Sequence, residues 1–338
     1  MALHSRISGI GTHVPPNLWT NDDLTKLMDT SDDWIQQRTG IKQRYWADQQ
    51  SSTSDLALEA SKAALSDAGI APGELDMIIL GTLSPDHEFP GTACFLQAKL
   101  GAPEIPAIDI RQQCTGFIYG LSIADQFIRT GKCKNVLVVG AEIHSKGLDR
   151  TTRGRDVSVL FGDGAGAAVL TAREVKNARR ESCILSTHVH ADGSFARELW
   201  VPGPGSGLGT RERLEPEMIT EGLHYPHMNG KAVFVHACKR MPEAVLEAVT
   251  ANGFSVSDVD LFVFHQANLR INEMVAKQLG IPIEKVFNTI DRFGNTTAAT
   301  IPIGLDEARR AGKLRPGMLV ASAAFGSGFT WASTLIRW

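Results

Sequence analysis

The chain has 338 residues, with 34 Lys and Arg against 37 Asp and Glu, a formal net charge of −3, and 43% hydrophobic and 21% charged residues. That balance fits a globular protein with a sizeable core, in one large or about two ordinary domains, and carries no electrostatic footprint for nucleic acid. Five cysteines without paired spacing speak for a reducing compartment over a disulfide framework, and neither a membrane-spanning apolar run nor a signal-peptide core stands out, so the expected home is the cytoplasm.

In chain order, the first distinctive piece is a short helix with Trp34 and Arg38 four residues apart, hence on one face. A stacking aromatic beside a guanidinium suits an adenine and its phosphates. Residues 105–110 read as a buried strand and residues 115–121 open an apolar helix, with Cys114 where strand hands over to helix. The positive end of the helix dipole there favours thiolate over thiol. Cys94, Cys133, Cys183 and Cys238 read as small buried hydrophobes. Residues 161–166 have a GxGxG spacing, but a strand follows, so no helix N-terminus is offered to a pyrophosphate and the segment reads as a tight structural turn. The polar run 173–180 reads as a linker dividing residues 1–173 from 174–338, and residues 201–223 as an irregular surface excursion. Further on, the apolar strand 261–264 delivers His265, Asn295 follows a third strand, and Gly326-Ser327-Gly328 forms a glycine-supported turn. The His188/His190 and His224/His227 pairs lack a carboxylate or cysteine partner at ligand spacing, so no metal is expected.

The chain repeats itself. A helix ending at Gly69 before the strand that follows Asp76 is echoed by a helix ending at Gly253 before the strand that follows Asp260, and the glycine pair and the aspartate pair share one offset. Gly131-Lys132 before an apolar strand is echoed by Gly312-Lys313 at a slightly smaller offset. An offset of more than half the chain means duplicated halves, not a solenoid of about 20–50-residue repeats. Continuous apolar strands alternating with helices give sheets covered on both faces. Two halves stacked through shared helices predict an α/β protein of layered αβαβα architecture. Cys114 and Asn295, separated by the same offset as Gly131 and Gly312, are read as related strand-end positions that converge across the two-fold.

A nucleophilic Cys114 with a neutral His265 and an amide from Asn295 is a set that can process an acyl thioester. Attack by sulfur gives an acyl-cysteine through a tetrahedral oxyanion, for which the Cys114 amide and the Ser327 amide are donors. His265 N–H and the Asn295 amide can hold a second oxyanion. Arg270 and Lys277, on a helix leaving the His265 motif, form a basic rim suited to an acidic carrier protein.

These segments, together with residues 30–41, 161–168, 265–271, 294–296 and 325–331, resemble the β-ketoacyl-acyl-carrier-protein synthase III family of thiolase-fold condensing enzymes along essentially the whole chain. The resemblance implies a five-layered thiolase-like fold and an acyltransferase. Such an enzyme condenses an acyl-CoA primer with a malonyl thioester on acyl carrier protein, without a cofactor, to begin fatty acid synthesis. It implies that Trp34, Arg38, Lys42 and Arg153 or Arg155 hold the nucleotide end of coenzyme A, and that Asn268 also binds substrate. It further implies that Phe89 reaches across a homodimer interface to close the partner's acyl pocket. Ser327 stands where the family commonly has glycine, which leaves the backbone donor intact. Residues 83–87 and 109–114 are reminiscent of a specialised alkylquinolone-type or polyketide-type branch, and a cysteine thioesterase is the reading from another class.

Overall fold

The computed structural model describes residues 2–338. Nine strands form its two main sheets: β1 (Ala2–His13), β2 (Met77–Gly81), β3 (Ala107–Ile110), β4 (Asn135–Glu142), β5 (Gly164–Val175), β6 (Cys183–Ala191), β7 (Leu261–Phe264), β8 (Leu319–Gly326) and β9 (Thr330–Arg337). The helices that position the site are α1 (Asp32–Thr39), α2 (Thr53–Ala68), α3 (Thr92–Leu100), α4 (Gly116–Arg129), α5 (Gly230–Ala251), α6 (Leu269–Leu279) and α7 (Thr300–Arg310). The first sheet has the order β1-β5-β4-β2-β3 and the second β7-β8-β9-β6. β2 is parallel to both its neighbours, and β7 is parallel to β8. In the second sheet the place equivalent to β3 is marked only by a bridge between Val286 and Phe262, with Phe287 N–H donating to the Phe262 carbonyl.

Alternation along each strand builds the layers. Met77 and Ile79 of β2 and Val136 and Val138 of β4 face inward onto α4 and α7, while Ile78, Leu80, Leu137 and Val139 face outward onto α2. In the second sheet Leu261 and Val263 meet the same central helices, and Phe262 and Phe264 pack against α5 and α6. The result is five layers: outer helices, sheet, the central pair α4 and α7, sheet, outer helices. β2, β4, β7 and β8 are covered on both faces, which is why they read as nearly unbroken apolar runs. α4 buries Phe117, Ile118, Leu121 and Ile128 completely, each worth about 1.5–3 kcal/mol. The helix that follows Cys114 is thus among the most firmly held in the molecule.

Three expectations need correcting. β5 runs to Val175, with Arg173 and Glu174 still paired to His4 and Leu3, so the boundary expected after residue 173 falls inside a strand. β3 is shorter than residues 105–110 and only half-buried, because it is the sheet edge and has a neighbour on one side alone. Cys94 is exposed on α3, not buried. The excursion 201–223 is tied down by Gly203 N–H to the Leu223 carbonyl and by Arg153 to the Thr220 carbonyl, and it holds a short helix, Pro216–Glu221.

Candidate active site

Cys114 lies in a single turn, Gln113–Thr115, immediately ahead of α4. Gln113 takes φ +44°, and the only other non-glycine residue with positive φ among those described is Thr297, at +49°. The two are separated by the same offset as Gly69 and Gly253, and each opens a short turn that leads into a central helix, Gln113–Thr115 into α4 and Thr297–Ala299 into α7. The register of the duplication at the site is therefore that of the two glycines, which pairs Cys114 with Ala298. Asn295 lies three residues earlier, so the expected Cys114–Asn295 correspondence is off by that amount. The convergence holds because the two turns pack against each other at the centre of the molecule.

The nucleophile is enclosed. Gly326, the last residue of β8, approaches so closely that a Cβ there would stand 3.1 Å from Cys114 Sγ and 2.8 Å from its Cβ. Only glycine lets the following Ser327 turn come this near. The Thr115 and Thr330 hydroxyls, 2.9 Å apart, tie the two turns together. The Ser327 N–H has no hydrogen-bond partner among the described residues, while its side chain donates to the Leu199 carbonyl, pointing the hydroxyl away from the turn's backbone. Burial, and secondarily the Glu142 carboxylate, push the Cys114 thiol up to about 12. In the resting site these outweigh the helix end, so Cys114 rests as a thiol and not as the thiolate expected from the dipole.

His265 leaves the end of β7 and is 2% exposed. Its Nδ1 lies 2.8 Å from Thr300 Oγ1, and its Nε2 is buried without a partner. Burial lowers its pKa to about 3, so the ring is neutral at every working pH. The Thr300 hydroxyl donates to the Thr297 carbonyl at 3.0 Å and also meets His265 Nδ1; the ring hydrogen sits on Nε2 when that hydroxyl turns its hydrogen to Nδ1. Asn295, 4% exposed, accepts the Thr297 N–H on Oδ1 at 2.9 Å, which turns its Nδ2 away from the turn; Nδ2 has no partner among the described residues. The second half thus contributes the unpaired Asn295 Nδ2 donor and the unpaired His265 Nε2, and the first half one sulfur with its amides.

Sequence reasoning missed four polar residues. Glu142, at the end of β4, is fully buried and accepts from the Thr82 and Ser84 hydroxyls and the Leu83 and Ser84 amides. Burial pushes its pKa up to about 7. Its signal was the one that exposed His265, a polar residue closing an apolar strand. Thr297 and Thr300 gave no such signal, and neither did His144.

At the outer end, Trp34 lies between two guanidiniums, Arg38 at 4.3 Å and Arg155 at 4.6 Å from its ring centre. Arg153 instead pairs with Asp149 at 2.6 Å and reaches the excursion. Lys42, Arg270 and Lys277 are exposed. Asn268 joins two elements: Oδ1 caps α6 by accepting Arg270 N–H, and one Nδ2 hydrogen goes to the Arg38 carbonyl, which fastens the His265 motif to α1. Phe89 is 80% exposed on a loop that is itself pinned. Asp86 accepts the Ser54 N–H, and Asp109 accepts the Thr92 and Ala93 N–H groups, capping α3. Ser84, Asp86 and Asp109, part of the segments reminiscent of a specialised branch, therefore have structural work in holding this loop.

Comparison with known proteins decides the family. A family model for 3-oxoacyl-[acyl-carrier-protein] synthase III matches residues 108–193, and that for its C-terminal part matches residues 249–338. The chain is 46% identical over 337 residues to β-ketoacyl-[acyl-carrier-protein] synthase III of Xanthomonas campestris, covering 99% of each. The chain belongs to the β-ketoacyl-acyl-carrier-protein synthase III family. A synthase III of Caldanaerobacter subterraneus is likewise 46% identical, covering 98% of this chain and 97% of that one. The crystal structure of the Aquifex aeolicus 3-oxoacyl-[acyl-carrier-protein] synthase III superposes with a TM-score of 0.88 at 43% identity, over 99% of this chain and 100% of that one. Membership of the synthase III family makes the chain a thiolase-fold acyltransferase of the condensing type.

Proposed function

We propose that this synthase III enzyme condenses an acyl-CoA primer with malonyl-acyl-carrier-protein, releasing CO₂ and starting fatty acid synthesis. The names of its relatives support the reading, and the observation that carries it is the pair of unpaired side-chain nitrogens, His265 Nε2 and Asn295 Nδ2, in a site that also holds a buried cysteine. Cys114 Sγ forms a bond to the thioester carbonyl carbon while the oxyanion is held by the Cys114 and Ser327 amides. The carbon–sulfur bond to coenzyme A then breaks, and the thiol proton leaves with the coenzyme A sulfur. Malonyl thioester next loses CO₂; the bonding pair becomes an enolate whose oxygen is held by His265 and Asn295. The enolate carbon attacks the acyl-cysteine carbonyl, and Cys114 leaves as thiolate and regains a proton from solvent. A neutral His265 suits this role, because a cation would hold the malonyl carboxylate as firmly as the enolate. No cofactor enters these steps.

Coenzyme A enters with its adenine against Trp34 and its phosphates near Arg38, Arg155 and Lys42, and the carrier docks on Arg270 and Lys277. The two sheet-bearing segments, through residue 175 and from residue 176, act as duplicated halves. The exposed Phe89 on a pinned loop supports a homodimer in which it closes the partner's pocket. Five free cysteines suit the reducing cytoplasm. The test is to supply acyl-CoA and malonyl-carrier and follow CO₂ and the β-ketoacyl product. Free acid and coenzyme A, formed without any need for the malonyl substrate, would identify a hydrolase instead.

A further inference from the structure

One buried titratable group stands behind the site and takes no part in the steps above. His144 follows β4 and is 6% exposed. Its Nε2 lies 2.6 Å from the Thr297 hydroxyl, and its ring packs on Phe161 with centres 4.4 Å apart. Both neighbours hold Asn295. On one side, Asn295 N–H donates to the Leu160 carbonyl and the Asn295 carbonyl receives Gly162 N–H, which brackets Phe161. On the other, Thr297 N–H fixes Asn295 Oδ1, and the Thr297 carbonyl takes the Thr300 N–H beside the hydroxyl that meets His265 Nδ1. A single residue, Thr297, thus touches the supports of both enolate donors.

Thr297 holds φ +49°, a region that β-branched residues adopt only when their surroundings enforce it. The contact to His144 is the one hydrogen bond that the Thr297 hydroxyl makes among the described residues. We propose that His144 is a positioning residue for decarboxylation: through the Thr297 hydroxyl it fixes the turn that aims Asn295 Nδ2 and that places the Thr300 hydroxyl against His265. Burial lowers the His144 pKa to about 3, so the link keeps one protonation state across the working range. The nucleophile lies on a different turn, Gln113–Thr115, tied to Thr330 and not to Thr297, so the first half-reaction is largely spared.

The inference rests on the proposed function, and the experiment separates the two. Wild type must first form acyl-Cys114 and release CO₂ from malonyl-carrier; failure there removes the proposed function itself. With that in hand, His144→Phe (ring volume kept, nitrogens removed) and Thr297→Val (shape kept, hydroxyl removed) should each slow CO₂ release about tenfold, the size of one neutral buried hydrogen bond. Acylation of Cys114 by acyl-CoA, weighed by mass spectrometry over time, should stay within about twofold of wild type. The double variant should be no slower than either single one, and Thr297→Ser should restore decarboxylation. Equal losses in both half-reactions, a Thr297→Ser variant as slow as Thr297→Val, or undiminished CO₂ release in Thr297→Val would overturn the proposal. If His144→Phe does not fold, the Val and Ser variants of Thr297 read the same link.

Discussion

Asn295 has two separable tasks, and two substitutions pull them apart. Its Oδ1 satisfies the buried Thr297 N–H, and its Nδ2 is the free donor. Asn295→Ala removes both. It should cost about 1–3 kcal/mol of stability, the penalty of an orphaned buried N–H, and slow decarboxylation by about 10²–10³, the usual loss for one oxyanion donor. Asn295→Asp keeps the acceptor for Thr297 but sets a carboxylate where the enolate oxygen must gather charge. Burial raises the pKa of such a carboxyl, and below that raised value the group is a neutral acid whose O–H can donate. Decarboxylation by the Asp variant should therefore rise as pH falls, while the Ala variant stays slow throughout. Stability obeys the same sign: the folded state binds the proton more tightly than the unfolded one, so the Asp variant should be most stable at low pH and lose stability as pH rises past the unfolded value of about 4. CO₂ release from malonyl-carrier across a pH series, with acyl-Cys114 weighed in parallel, reads all of this. An Ala variant that decarboxylates within about threefold of wild type would refute the assignment of Asn295 as a donor.

Cys114→Ser should form no acyl-enzyme from acyl-CoA, and a label still found covalently attached, at any other cysteine, would move the nucleophile elsewhere. Trp34→Ala and Arg155→Ala should raise KM for acyl-CoA but not for an acyl-pantetheine without the nucleotide, whereas Arg153→Ala, already paired to Asp149, should change neither. Equal KM changes for the two substrates would show that the stack only supports the fold. Phe89→Ala should broaden primer use toward longer or branched chains at a stability cost below the roughly 3–5 kcal/mol of a core truncation. An unchanged primer profile in a dimeric variant would exclude Phe89 as the lid.

The fold was legible because sheets covered on both faces demand apolar strands, and such runs point to Cys114 and His265 beyond their ends; Asn295 instead follows a short helix, Ile290–Phe293, where a third strand was expected. Finer matters depended on partners far away in sequence. Arg153 and Arg155 are indistinguishable until Trp34 is found beside the second. The bond from the Asn268 amide to the Arg38 carbonyl has no mark in the sequence. His144 and Thr297 meet from opposite halves of the chain, and neither carries a motif. The register was misjudged because loops of unequal length shift the apparent offset between the halves, whereas the left-handed residues Gln113 and Thr297 fix it.

Ala298 occupies in the second half the place that Cys114 has in the first, and it has no sulfur to offer. Its methyl group lies 3.4 Å from where a Cβ on Gly116 would stand, and its carbonyl is pressed against Gly140. The site at the two-fold is thus asymmetric in its chemistry, with one nucleophile. Stoichiometry follows: saturating acyl-CoA should load one acyl group per chain.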